Sequence, residues 1–254
     1  MRMAIRTLLI LSAAVFSATL RAEPTEVVVR VISQDAKFIG DSMGGAEIVL
    51  RDANTRRILA RGITKGGTGD TKLIMQASGR SPLRSTSDAA AFVTRVDISK
   101  PTLVDLEVSG PKSKPGSTIR IVSQRWVMPG QPINIGDGWV VELPGLAISP
   151  TARLVELDKG DGVKSIAVTA KVELMCGCPI TPGGLWDAKD YYVEVSAWQR
   201  GSSIAVAPLA FVEAPGSYAG QITAPMKGRY ILYVTARNLK TGNSGVTQIS
   251  SFAK

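Results

Sequence analysis

The chain has 254 residues, of which 44% are hydrophobic, 6% aromatic and 20% charged, with 25 glycines and 14 prolines. This is the composition of a loop-rich globular protein and excludes disordered, collagen-like and polytopic membrane chains. With no histidine and two cysteines, it excludes Ser-His-Asp and Cys-His nucleophile pairs and His-ligated zinc or haem; its formal charge is +9.

Residues 1–22 read as a secretory signal peptide. Arg2 and Arg6 precede an apolar run from Thr7 to Leu20, and Leu20-Arg21-Ala22 offers a small residue for cleavage after Ala22. The run is shorter than the roughly 20 residues that span a bilayer, and no other stretch approaches that length. The expectation is an exported protein, periplasmic or secreted, without membrane insertion. Loss of residues 1–22 leaves 27 basic and 21 acidic residues, a net +6. The cations are scattered singly and form no aromatic-interleaved stripe, so a solvated surface is expected and no nucleic-acid partner.

The remaining chain reads as strands. In Val163 to Leu174, Ile166, Val168, Ala170, Val172 and Leu174 alternate with polar or small residues, the period of two of a half-buried strand. Similar alternation runs through 27–32, 46–51, 57–63, 92–98, 103–108, 119–127, 191–198, 204–212 and 229–236, bounded by Gly, Pro, Asn or Asp. No window carries a helical stripe. Turn chemistry at Asp52-Ala53-Asn54, Asp158-Lys159-Gly160-Asp161-Gly162 and Thr241-Gly242-Asn243 fits β-sandwiches. The Pro/Gly-rich stretch after Gly110 predicts a linker over 111–116, between an N-terminal sandwich over 23–110 and a C-terminal one over 117–254.

Within the first of these, 64–89 is a long polar loop whose only apolar run is Leu73-Ile74-Met75, which makes Leu73 and Met75 candidates for contact with a partner. Its Gly66 to Lys72 lacks the Gly-Lys-Ser/Thr order of a phosphate loop and is expected to lead into no helix. Asp158 and Asp161 are too few for a calcium loop, so a hairpin turn is the reading there.

Met175-Cys176-Gly177-Cys178-Pro179 carries the only distinctive chemistry. In a continued extended chain, Cys176 and Cys178 share the face of Leu174 with Gly177 between them. Export favours a Cys176–Cys178 disulfide. Two alternatives stay open: a Cu(I) site formed by Cys176, Cys178 and Met175, and a redox dithiol. An extended Cys-x-Cys puts the Cα atoms about 6.5–7 Å apart, near the limit for a disulfide, and glycine lets the backbone tighten. A ring this small restricts the unfolded chain little, so its expected role is to pin the following loop. That loop ends in Trp186, either an exposed recognition residue or, by preference, an aromatic plug at the end of the sandwich.

Thr25 to Ile63, with Gly44-Gly45-Ala46 leading into Ile48-Val49-Leu50, Asp52 in the turn and Ile58-Leu59-Ala60 returning, resembles transthyretin-like or carboxypeptidase regulatory-like domains. Gly216 to Gly220, Pro225 to Tyr230 and Tyr233 to Ala236 resemble the last strands of bacterial immunoglobulin-like domains. These resemblances imply two tandem immunoglobulin-like or transthyretin-like β-sandwiches in an all-β chain, and a spacer, adhesive or scaffold role with nothing catalytic. The expected function is a non-enzymatic binding or accessory module contacting another exported or envelope protein. The alternative is a periplasmic copper(I)-handling protein.

Overall fold

The structure, a computed structural model, describes residues 22–156 and 164–253. The expected signal segment up to Arg21 and the turn expected at Asp158 to Gly162 lie outside the described residues. The first seven strands are β1 (Glu23–Ser33), β2 (Glu47–Asp52), β3 (Ile58–Ile63), β4 (Phe92–Ile98), β5 (Thr102–Gly110), β6 (Ile119–Val127) and β7 (Trp139–Leu143). They form two sheets of order β4-β1-β7 and β3-β2-β5-β6. Every pair is antiparallel except β1 with β7, where Val29 lies beside Trp139 in parallel register. Alternate residues of both sheets, including Val29, Val31, Ile48, Leu50, Leu106, Val108 and Leu143, meet in one core.

Eight further strands follow: β8 (Leu146–Glu156), β9 (Lys164–Leu174), β10 (Tyr191–Gln199), β11 (Ser202–Pro208), β12 (Ala210–Phe211), β13 (Ser217–Ala224), β14 (Gly228–Asn238) and β15 (Ser244–Ala253). They make an antiparallel sheet β11-β10-β14-β15 and a second, β12-β13-β9-β8. The β9 residues Ile166, Val168, Ala170, Val172 and Leu174 all enter the core between them, facing Val193, Val195, Leu232 and Val234. The chain is therefore all-β, built as two sandwiches, as its alternating segments imply.

The boundary expected at 111–116 is corrected. The strands on either side of that stretch, β5 and β6, are antiparallel neighbours from Gly110↔Ile119 to Thr102↔Val127. The first sandwich therefore takes in β6 and β7 and runs to Leu143, and the changeover falls at Pro144-Gly145. Pro and Gly interrupt a ladder whether the chain then leaves the sheet or folds back into it, so composition alone does not separate the two cases. Here the stretch folds back: Lys112 N–H donates to Gly45 O and Ser113 N–H to Met43 O, both at 3.0 Å.

Residues 64–89 are also better ordered than their composition implies. Bridges Lys65↔Ala91 and Gly67↔Ala89 tie both ends to the sandwich. Between them lies a helix, α1 (Thr71–Met75), where none was expected. Asp70 accepts from Leu73 N at 2.7 Å and caps it, so the helix start is occupied by the chain's own carboxylate. Ile74 packs with Ile32, Phe38, Ala89 and Ala90 in a small separate core.

Candidate functional site at the Cys-Gly-Cys turn

Strand β9 ends at Leu174 and the chain turns instead of continuing. Gly177 N donates to Leu174 O at 2.8 Å, and Pro179 bridges back to Glu173. Gly177 sits at φ +79°, the left-handed region that glycine tolerates. The turn brings the Cys176 and Cys178 sulfurs to disulfide distance, with 5.4 Å between the Cα atoms rather than the spacing of an extended strand. Both cysteines are buried in the second core.

Met175 goes the other way. Its side chain is buried in the first core, with Leu143 and Ala147, and its methyl carbon crowds Gly145. The three sulfurs proposed as a soft-metal set therefore do not converge on one point. Among the described residues no group of three or more Cys, Asp or Glu side chains is placed to hold a metal ion.

What the turn does touch is the first sandwich. Ser42 Oγ donates to Cys176 O at 3.5 Å, and the open side of Gly177 faces Met43. The following loop folds on itself through Thr181 N to Trp186 O (3.0 Å) and Ala188 N to Thr181 O (3.1 Å). Asp187 receives Lys189 in an ion pair; that contact, with backbone N–H groups of Gly183 and Lys189, holds its carboxyl below the usual range. Trp186 lies half-buried against the second core, and its Nε1–H donates to Asp35 O in the first sandwich at 2.8 Å. Trp186 thus lies between the two sandwiches, half-buried rather than at the closed end of one.

Sequence reasoning missed the partners across this seam. Asp35, in a turn at φ 60°, accepts from Thr241 Oγ1. Asn243 accepts from Gly145 N at 2.7 Å. Glu173 pairs across it with Lys114 at 3.1 Å, and on its own strand with Lys171 at 2.8 Å. Only the Thr241-Gly242-Asn243 turn had any signal, and it signalled a turn alone. Met75 and Trp186 both border a depression of about 290 Å³, with Leu185, Asp35 and Lys240. Leu73 is not part of it and stands 37% exposed on α1.

A second surface carries uncovered apolar groups. Several edge strands are closed over by the facing sheet: β15 lies against β8, β3 against β4 and β11 against β13. Strand β6 pairs only with β5 among the described residues, while Trp139 Nε1–H of β7 donates to its Ser123 Oγ at 3.4 Å. Val122 is 57% exposed, Trp126 60% and the adjoining Met128 41%. Across the ladder, Glu107 accepts from Arg120, which holds its carboxyl below the usual range, and Asp105 accepts from Gln124 at 2.7 Å.

No family model matches the chain, and no curated protein or solved structure gives a significant match.

Proposed function

We propose that this is an exported, non-enzymatic binding or accessory module that contacts another envelope or secreted protein. In this reading a Cys176–Cys178 disulfide pins the 179–187 loop so that Trp186 keeps the two sandwiches in register. The observation that carries it is the β6 edge: a nine-residue strand that pairs on one side only among the described residues, with Val122 and Trp126 exposed along it and Met128 just beyond its end. Exposed strand edges with apolar side chains invite pairing with another chain, and proteins that do not use them usually blunt them.

Site-specific photo-crosslinking in the native compartment tests the reading. A crosslinker in place of Trp126 should give a discrete adduct with another protein that is missing when it replaces Leu239, an exposed residue of the second sandwich. Adducts at both positions, or at neither, would overturn it. Intact-mass analysis of anaerobically purified protein, with alkylation and metal content, tests the disulfide. A mass lower by two hydrogens, with no alkylation, is expected. Two free thiols with stoichiometric copper would transfer the function to Cu(I) handling.

A further inference from the structure

We infer that the cleft between the two sandwiches, where the outer face of the second meets residues 116–119 of the first, binds a small zwitterion with an apolar body: an α-amino acid with a hydrocarbon side chain. The inference goes beyond the module reading and holds whether or not β6 takes up a partner.

The cleft encloses about 630 Å³ and takes its walls from both sandwiches. Small-molecule sites fall in this size range and favour the joins between domains. One wall is apolar, formed by Ile119, Leu146 and Met175. The hydroxyls on that side are already engaged: Ser117 Oγ accepts from Ile148 N at 2.9 Å, and Thr118 Oγ1 donates to Pro111 O at 2.8 Å. The opposite wall is the outer face of β10, β14 and β15. Val193, Val195, Val234 and Ala236 turn into the second core, so the residues between them turn outward. Tyr192, Glu194, Thr235 and Arg237 therefore border the cleft.

Glu194 and Arg237 carry opposite charges on this wall, yet among the described residues neither has an ion-pair partner. In the ladders Glu194 lies between Pro208 and Thr235, and Arg237 between Tyr192 and Ser244, so no opposite charge stands directly beside either. Side chains of this length can close a diagonal gap: Glu107 and Arg120, also two positions out of register, form an ion pair. Arg237 instead lies over the Tyr192 ring, 5.2 Å from its centre, where the negative face of the ring holds the guanidinium. A carboxylate and a guanidinium are thus kept apart at one side of an apolar cleft. A ligand with a single charge would meet a like charge on the same wall, and an uncharged one would shield both groups from water without pairing them. A zwitterion satisfies both, its ammonium on Glu194 and its carboxylate on the fork of Arg237. Diagonal neighbours in a sheet are only about 7–8 Å apart, which suits two charged groups on one carbon. The side chain then lies against Ile119, Leu146 and Met175.

The test is isothermal titration calorimetry on the full mature protein with L-leucine as the probe. N-acetyl-L-leucine lacks the ammonium, L-leucinamide lacks the carboxylate, and L-glutamate brings a charge to the apolar wall. Leucine should bind saturably, and each of the other three about tenfold or more weakly, the size of one hydrogen bond to a charged group. Glu194→Gln should weaken leucine and remove the difference between leucine and its N-acetyl form. Arg237→Gln should likewise remove the difference between leucine and leucinamide, the fold of both variants being checked by circular dichroism. Absence of saturable leucine binding, capped forms that bind as tightly as leucine, or variants in which both differences persist would overturn the inference. The capped ligands need no variant, so a misfolded variant does not shield it. A discrete crosslink at position 126 with no leucine binding would sink the zwitterion site and leave the module reading standing.

Discussion

At Gly177 two constraints meet that can be measured apart. Its φ of +79° lies where a side chain strains the backbone, and a Cβ there would stand 3.0 Å from Met43 Cγ and Sδ. Gly183, at φ +66°, has nothing within 4 Å of the same added atom. Gly183→Ala should therefore lose about 1–2 kcal/mol from backbone strain alone. Gly177→Ala should lose measurably more by urea unfolding, and Met43→Ala in the same chain should recover part of the difference. Equal losses for the two glycines would mean that the turn does not bear on Met43. Tyr218 makes the opposite case. Its hydroxyl is buried without a hydrogen-bond partner in the protein, and burial, with the neighbouring Tyr191 phenol, pushes its pKa up to about 12. Tyr218→Phe removes that unsatisfied group, so thermal stability should hold or rise, by up to about 1 kcal/mol. The sign with pH follows from the same shift. A folded pKa raised from 10.0 to about 12 gives a contribution intact below 10.0 and lost as pH rises through about 12, so alkaline unfolding should set in later in the Phe variant.

Elements were legible where their apolar residues alternate cleanly. Strand β9 buries one parity entirely, and β4 and β6 have the ends that the pattern implies. The missed strands lacked that signal for identifiable reasons. β15 carries Val246, Ile249 and Phe252 at a spacing of three, and Val246 and Phe252 are exposed. β8 contains Pro150, which argues against a strand unless the strand is an edge, and β8 is one. The 64–89 segment was misjudged because its anchor lies far away in sequence. Asp137, in the β6–β7 connection, accepts the backbone N–H groups of Arg84 and Ser85, at 3.0 and 2.7 Å. Burial alone would raise its pKa, but hydrogen bonds from Ser85 and Arg84 outweigh it and hold the carboxyl below its ordinary 3.8. A lowered folded pKa contributes stability that is complete above the ordinary value and is lost as pH falls through the lowered one. Asp137→Ala should destabilise the protein by about 1.5–3 kcal/mol, the range for hydrogen bonds to a charged acceptor, and should speed amide exchange at 79–86 before any strand opens. Unchanged exchange in that segment would show that α1 and its small core hold it unaided.

For the whole molecule, the sequence implied two sandwiches but not that they are locked together, because a seam is made of residues distant in the chain. Residues Asp35, Met43 and Lys114 of the first sandwich meet Trp186, Gly177 and Glu173 of the second. Asn243 sits in the middle of this contact, 2% exposed. Its side-chain oxygen accepts the buried Gly145 N–H, and its amide donates to Gln34 O at 3.4 Å, so one side chain ties the changeover peptide to the first sandwich. A seam of this kind makes the two cores melt together, in a single calorimetric transition whose van't Hoff and calorimetric enthalpies agree. Asn243→Ala leaves Gly145 N–H buried without an acceptor, a loss of about 1–3 kcal/mol that falls on the seam rather than on either core. The expected result is a transition that broadens or divides into two while each sheet keeps its amide protection. If the variant instead shifts one sharp transition downward, the sandwiches are coupled chiefly by the Cys-Gly-Cys turn and Trp186, and the same calorimetry on a Cys176→Ser/Cys178→Ser double variant would then be the one to divide.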